Sequence, residues 1–197
     1  MRKVILGAMI LMGIGAAQIN AQSFSYGVKA ESGISNFHLS DMKGTKSKMG
    51  FGAGIGGFSR IEFMRNFAVQ SEILIQYQSS TLEKKGSKDR DFKYWGIESP
   101  IYAMGQWYTP TGNRFFVGVG PYMGYGFSAK LNHPSQKLYK DDTFQRWDFG
   151  AKAQVGYEFA SGIMVSAGYK MGFKNAIDEG NGKMRPQAIT LGVGYRF

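Results

Sequence analysis

From about residue 24 onward, apolar residues alternate with small or polar ones. A period of two predicts β-strands with one apolar face each. The clearest stretch is 187–197, where Ile189, Leu191, Val193, Tyr195 and Phe197 share one face. Ala188, Thr190, Gly192, Gly194 and Arg196 share the other. The same alternation predicts strands over about 24–35, 50–62, 67–78, 94–108, 114–128, 144–159 and 163–174. Short turns fall at 64–66, 109–113 and 160–162, and long polar connections at 38–48, 79–93, 130–142 and 175–186. Eight strands with strictly alternating short and long connections predict an all-β fold. The expected form is an eight-stranded antiparallel up-and-down transmembrane β-barrel, with short periplasmic turns and four long extracellular loops. An unpaired apolar strand at 187–197 would be an aggregation hazard, and closing the barrel with it removes that hazard.

The two faces differ in kind. One carries Trp95, Ile97, Ile101, Ala103 and Trp107 on one strand, and Phe115, Val117, Val119, Met123, Tyr125 and Phe127 on the next. The other carries glycines together with Lys29, Arg60, Arg146, Lys152, Lys170, Arg196, Glu31, Glu62, Glu72, Glu98, Asp148 and Glu158. A soluble lipocalin-type barrel needs the reverse, apolar inside and charged outside. Trp95 and Trp107 are twelve residues apart. At about 3.3 Å per residue and a tilt near 40°, they stand roughly 30 Å apart along the membrane normal, which suits two aromatic girdles. An eight-stranded barrel has an interior that side chains can fill. Buried charges must be paired, so the expected lumen is plugged by a salt-bridge network, with a narrow ion path as the alternative. Centring the 109–113 turn on Thr111 sets Trp107 opposite Phe115 and brings Pro100 close to Pro121. Proline donates nothing to a ladder, so a bulge or distorted pairing is expected there.

The amino terminus reads differently. Met1-Arg2-Lys3 precedes an apolar run from Val4 to Ala17, too short for a spanning helix, which needs about 20 residues. A basic start, a short apolar core and a small-residue end predict a secretory signal peptide over 1–21, cleaved after Ala21, with Ala17 as the alternative. Residues 22–197 are then the barrel domain. The chain has no cysteine, which excludes disulfides, thiolate metal sites and a lipidated cysteine. Its 28 glycines in 197 residues are about twice the usual share of roughly 7%, and aromatics make up 15%. Both suit a membrane barrel with small residues inside and aromatics at the interfaces. Lysine and arginine number 24 against 14 acids. That excess favours anionic lipid or polysaccharide and is not evidence for nucleic acid.

The stretch 50–80, GFGAGIGGFSRIEFMRNFAVQSEILIQYQSS, resembles the second and third strands of the outer-membrane β-barrel family that includes PorT-like and "porin family" proteins. Glu98-Ser99-Pro100 and Gly120-Pro121-Tyr122 resemble that family's recurring prolines in strands four and five. Thr190, Gly192, Tyr195 and Phe197 resemble the terminal signal read by the barrel-assembly machinery. The likeness covers nearly all of the chain after residue 21. It implies a Gram-negative-type outer membrane, outer-membrane lipids and lipopolysaccharide as surroundings, and assembly through the last strand. Because one member serves a secretion machine, it also leaves open an envelope protein partner.

Little in the sequence carries chemistry. Gly52-Ala53-Gly54-Ile55-Gly56-Gly57 matches the dinucleotide glycine pattern, but no helix or βαβ unit follows, so small lumen residues explain it better. His38 with Ser40 and Asp41, or His133 with Ser135 and Asp141, offers the residue types of a lipid-modifying acyl enzyme, at spacings that are not diagnostic. No catalytic, cofactor-binding or metal-binding set is assigned. The expected function is a non-enzymatic structural or binding role through the long loops, with a small pore and a lipid-modifying enzyme as alternatives.

Overall fold

The computed structural model describes residues 23–40, 45–48, 50–84, 90–131, 136–137, 146–173 and 183–197. The proposed signal peptide lies outside them. Eight long strands carry the fold: β1 (Ser23–Ser40), β3 (Gly50–Met64), β4 (Phe67–Lys84), β5 (Arg90–Tyr108), β6 (Arg114–Leu131), β8 (Trp147–Glu158), β9 (Ile163–Gly172) and β10 (Lys183–Arg196). Two short segments, β2 (Thr45–Lys48) and β7 (Gln136–Lys137), prolong the sheet. Every pairing is antiparallel, and the order β4-β3-β1-β10-β9-β8-β6-β5 closes on itself through a β4–β5 pairing. The fold is therefore a closed eight-stranded barrel, as the alternation predicts.

Closure runs through the last strand. β10 pairs with β1 from Ser40↔Lys183 to Gly27↔Arg196, and with β9 from Gln187↔Met171 to Tyr195↔Ile163. Its end is pinned further: Arg196 N–H donates to the Gly162 carbonyl and Phe197 N–H to that of Tyr26, both at 2.9 Å. Gly162 sits at φ 89° in the turn that receives this bond, a conformation that glycine adopts without a steric penalty.

The structure lengthens the strands at the long-loop end. β1 runs to Ser40, β4 to Lys84 and β6 to Leu131, while β5 begins at Arg90 and β10 at Lys183. The connections expected at 38–48, 79–93, 130–142 and 175–186 are correspondingly shorter. Ladder hydrogen bonds are backbone bonds and need no apolar face. Above a bilayer both faces of a strand can be polar, so the period of two fades while the pairing continues. The expected start of the sixth strand at 144 lies outside the described residues.

The proline expectation holds in part. Trp107 stands opposite Phe115 as expected. Between Pro100↔Tyr122 and Ala103↔Val119 two pairs drop out of the β5–β6 ladder, and the register does not shift across them. The pairing is thus distorted there without a bulge. The register shift falls instead between Trp95 and Gly96. Beside the gap, a Cβ on Gly120 would lie 1.8 Å from the Ile101 carbonyl oxygen, so the two backbones approach in a way only glycine permits.

Outside, the aromatics form two belts. At the short-turn end, Trp107 meets Phe115 at 6.0 Å between ring centres, Tyr26 meets Phe197 at 5.5 Å and Tyr157 meets Phe159 at 5.1 Å. At the other end, Tyr77 meets Trp95 at 5.0 Å and Tyr125 meets Trp147 at 4.9 Å. Inside, the expectation of glycine plus charge is incomplete. Phe58, Tyr102, Met104, Phe116 and Met164 form a buried apolar cluster. The glycines make room for two of these rings and for that of Tyr122, which is also buried. Gly27 pairs with Phe58, Gly156 with Phe116 and Gly150 with Tyr122, and a Cβ on any of the three glycines would strike its partner's ring.

Candidate functional site

Alternation turns charged residues of all eight long strands inward, where most of them are withdrawn from water. They pair with one another, and Arg114 Nε is the one nitrogen or oxygen of these charged groups that is buried without a hydrogen-bond partner. From the long-loop end, Lys170 stands 3.6 Å from Asp148 and donates to Glu98 at 2.6 Å. Lys152 bridges Glu98 at 2.7 Å and Glu31 at 3.1 Å. Lys29 lies 3.7 Å from Glu31 and donates to both oxygens of Glu72 at 3.0 Å and to Gln154 at 3.0 Å. Gln70 is the splice between halves: its amide donates to Glu72 at 2.7 Å, and its carbonyl oxygen accepts from Arg60 Nε at 2.8 Å.

The short-turn half is organised on Glu158. It accepts from Arg60 at 2.9 Å, from Arg196 at 2.6 Å and from Arg114. Arg114 also donates to Glu62 at 2.7 Å and to Gln106 at 2.8 Å, and the Tyr108 hydroxyl donates to Glu62 at 2.9 Å. Cation faces meet rings as well, with the Arg60 guanidinium 5.4 Å from the centre of Phe58 and Lys170 Nζ 4.6 Å from that of Tyr122. Six cations thus meet six carboxylates along one continuous string, and nine of the twelve are buried.

The structure brings together eleven of the twelve charged residues expected in the lumen. The exception is Arg146, which is exposed beside the first residue of β8, where its carbonyl accepts from Gly126 N–H at 2.7 Å. The sixth cation of the string is instead Arg114, at the opposite end of the β6–β8 ladder, which sequence reasoning missed. The signal was present: Phe115 faces out, so the residue before it faces in, but Arg114 borders a turn and reads as a loop residue. Gly52 to Gly57 lie within β3, where Gly54 pairs with both Glu31 and Gln76, a lumen surface rather than a phosphate loop. His38 lies on β1 at the register of Arg185, and Ser40 at that of Lys183. Asp41, His133, Ser135 and Asp141 lie outside the described residues. Among the described residues no group of three or more His, Asp or Glu could hold a metal.

At the long-loop end of the lumen, Glu31, Ser35, Gly52, Gln76 and Thr190 line a cavity of about 10 Å³, roughly room for one water molecule. This arrangement fills the barrel with side chains. It offers no activated nucleophile.

Residues 6–197 match the outer membrane protein beta-barrel domain, and the chain belongs to that family. Among solved structures it is similar to Neisserial surface protein A (NspA), at 17% identity and a TM-score of 0.54 over 89% of this chain and 99% of that one. It is also similar to the outer membrane protein OprG from Pseudomonas aeruginosa, at 14% identity and a TM-score of 0.53 over 89% of this chain and 95% of that one. No curated protein matches it. The protein is a small outer-membrane barrel of eight strands, so its exposed aromatic and aliphatic face meets lipid.

Proposed function

We propose that this barrel is a non-conducting, non-enzymatic protein of the outer membrane that acts structurally or by binding through its long-loop end. The observation that carries the reading is the lumen string: charge-balanced, hydrogen-bonded from end to end and leaving room for about one water in the cavity beside it. A pore needs a continuous wet path, and these side chains occupy it. The orientation we propose sets the short turns at 65–66, 109–113 and 159–162 in the periplasm with both ends of the barrel strand array, and the longer connections outside. Contacts with other molecules then fall on the outer rim, and an envelope protein partner would dock there.

The test is conductance. Purified protein inserted into a planar bilayer at neutral pH is expected to give no discrete current steps. Reproducible steps that vanish on heat unfolding would replace this reading with that of a small pore.

A further inference from the structure

One layer of the lumen differs from the charged string. Phe58 on β3, Ala68 on β4, Tyr102 and Met104 on β5, Phe116 on β6 and Met164 on β9 form a single buried apolar cluster inside the barrel. The other three long strands face it with glycine. A Cβ on Gly27 of β1 would strike the Phe58 ring, and one on Gly156 of β8 the Phe116 ring. One on Gly194 of β10 would lie 2.8 Å from Met164 Cε. Five strands therefore supply the side chains and three supply the room, so the layer reaches every long strand of the wall. Among the described residues the string crosses it at one place, where Gln70 joins Glu72 to Arg60. The buried Arg60 guanidinium meets both rings, 5.4 Å from the centre of Phe58 and 5.9 Å from that of Phe116, and its Nη2 lies 3.9 Å from Met164 Sδ.

The layer also divides the charges. Above it three lysines, Lys29, Lys152 and Lys170, meet four carboxylates, Glu31, Glu72, Glu98 and Asp148. Within and below it three arginines, Arg60, Arg114 and Arg196, meet two, Glu62 and Glu158. An ion entering the string could exchange its water for charged and amide groups. In the layer, Arg60 apart, it would find methyl groups and ring faces, which replace no hydration. Hydrophobic constrictions close a pore by excluding water, with no bond needed to hold them shut. The charge that does stand there is a cation on aromatic faces, and it repels a second cation.

We propose that this apolar layer is the ion seal of the lumen, and that Arg60 gives the seal a positive sign. The seal rests on the non-conducting reading above and gives it the side chains responsible. Salt bridges above the layer can then be lost without opening a path, whereas trimming the layer opens one that favours anions.

The experiment compares three proteins in planar bilayers at neutral pH. They are the parent, a layer variant, Phe58→Ala/Phe116→Ala, and a string variant, Lys152→Met/Glu98→Leu, which removes charges above the layer and keeps its rings. The parent and the string variant are expected to give no current steps. The layer variant is expected to give discrete steps, and in a potassium chloride gradient its reversal potential should take the sign of chloride preference. A folded layer variant as silent as the parent would overturn the seal. So would steps of the same size and frequency in the string variant, which would place the closure in the salt bridges. Potassium preference in the layer variant would overturn the role of Arg60. Heat-modifiable gel mobility establishes that each protein is folded. If the layer variant does not fold, Met104→Ala/Met164→Ala trims the same layer from β5 and β9 and is read by the same outcomes. Steps in the parent itself would count against the non-conducting reading, whereas a silent parent beside a silent, folded layer variant counts against the seal alone.

Discussion

Glu158 draws three guanidinium groups, from Arg60, Arg114 and Arg196, onto one carboxylate at the short-turn end of the lumen. Arg60 is fully buried and Arg114 nearly so, so water cannot replace the carboxylate if it is lost. Breaking a buried ion pair from one side costs about 3–5 kcal/mol, because it leaves an uncompensated charge. Glu158→Gln should therefore destabilise the folded barrel by about 3 kcal/mol or more, read from urea unfolding in lipid vesicles by tryptophan fluorescence. Glu62 is the internal comparison. It also meets Arg114, but its side chain keeps 19% of its exposure, so solvent can take over part of its role. Glu62→Gln should cost no more than about 1 kcal/mol. If the two variants proved equally stable, Glu158 would not be the organising carboxylate.

At the scale of the strand, legibility followed the bilayer. Between the two belts one face meets lipid and the other the lumen, so the sequence alternates and both strand and facing can be read. Every lumen acid was found this way. Beyond the belts, as at 79–84 or 183–186, neither face must be apolar and the strands run on without a periodic signature. The partners inside the lumen were not legible either. Lys29 meets Gln154 across 125 positions, a pairing set by barrel closure and not by any local pattern. The lumen rings Phe58 and Phe116 were hidden for a related reason: they share a parity with charged residues, and only their cross-strand glycines explain how they fit. The Pro100–Pro121 region was legible as a defect but not in form. There the ladder opens for two pairs while Gly120 lets the Ile101 carbonyl close in. Gly120→Val is therefore expected to block folding or lower stability by several kcal/mol, since the clash is with backbone that cannot swing aside. Pro121→Val, on the exposed face of the same gap, should shift stability by less than about 1 kcal/mol. Heat-modifiable mobility after refolding checks both, and a tolerated valine at 120 would mean that the close approach is not required.

For the whole molecule the decisive property is balance. A lumen this narrow cannot hydrate an odd charge, so every cation must find a carboxylate and removal of one side must be felt on the other. Lys152 and Glu98 test this at mid-barrel, where they meet at 2.7 Å and are both buried. Alone, Lys152→Met leaves Glu98 to Lys170 and Glu31 to Lys29, each carboxylate having lost a cation. Alone, Glu98→Leu leaves Lys152 with Glu31 and Lys170 with Asp148 at 3.6 Å. Together the two substitutions restore neutrality and put apolar volume where the pair was, which offsets part of the cost of the single changes. Each single variant should cost about 3 kcal/mol or more. The double variant should cost less than the sum by about 1–3 kcal/mol, which is the coupling expected of groups in one network. The measurement is a double-mutant cycle on urea unfolding in vesicles. Strict additivity would show that the lysine and the carboxylate act independently, and the picture of a single charge-balanced plug would give way to one of separate local contacts.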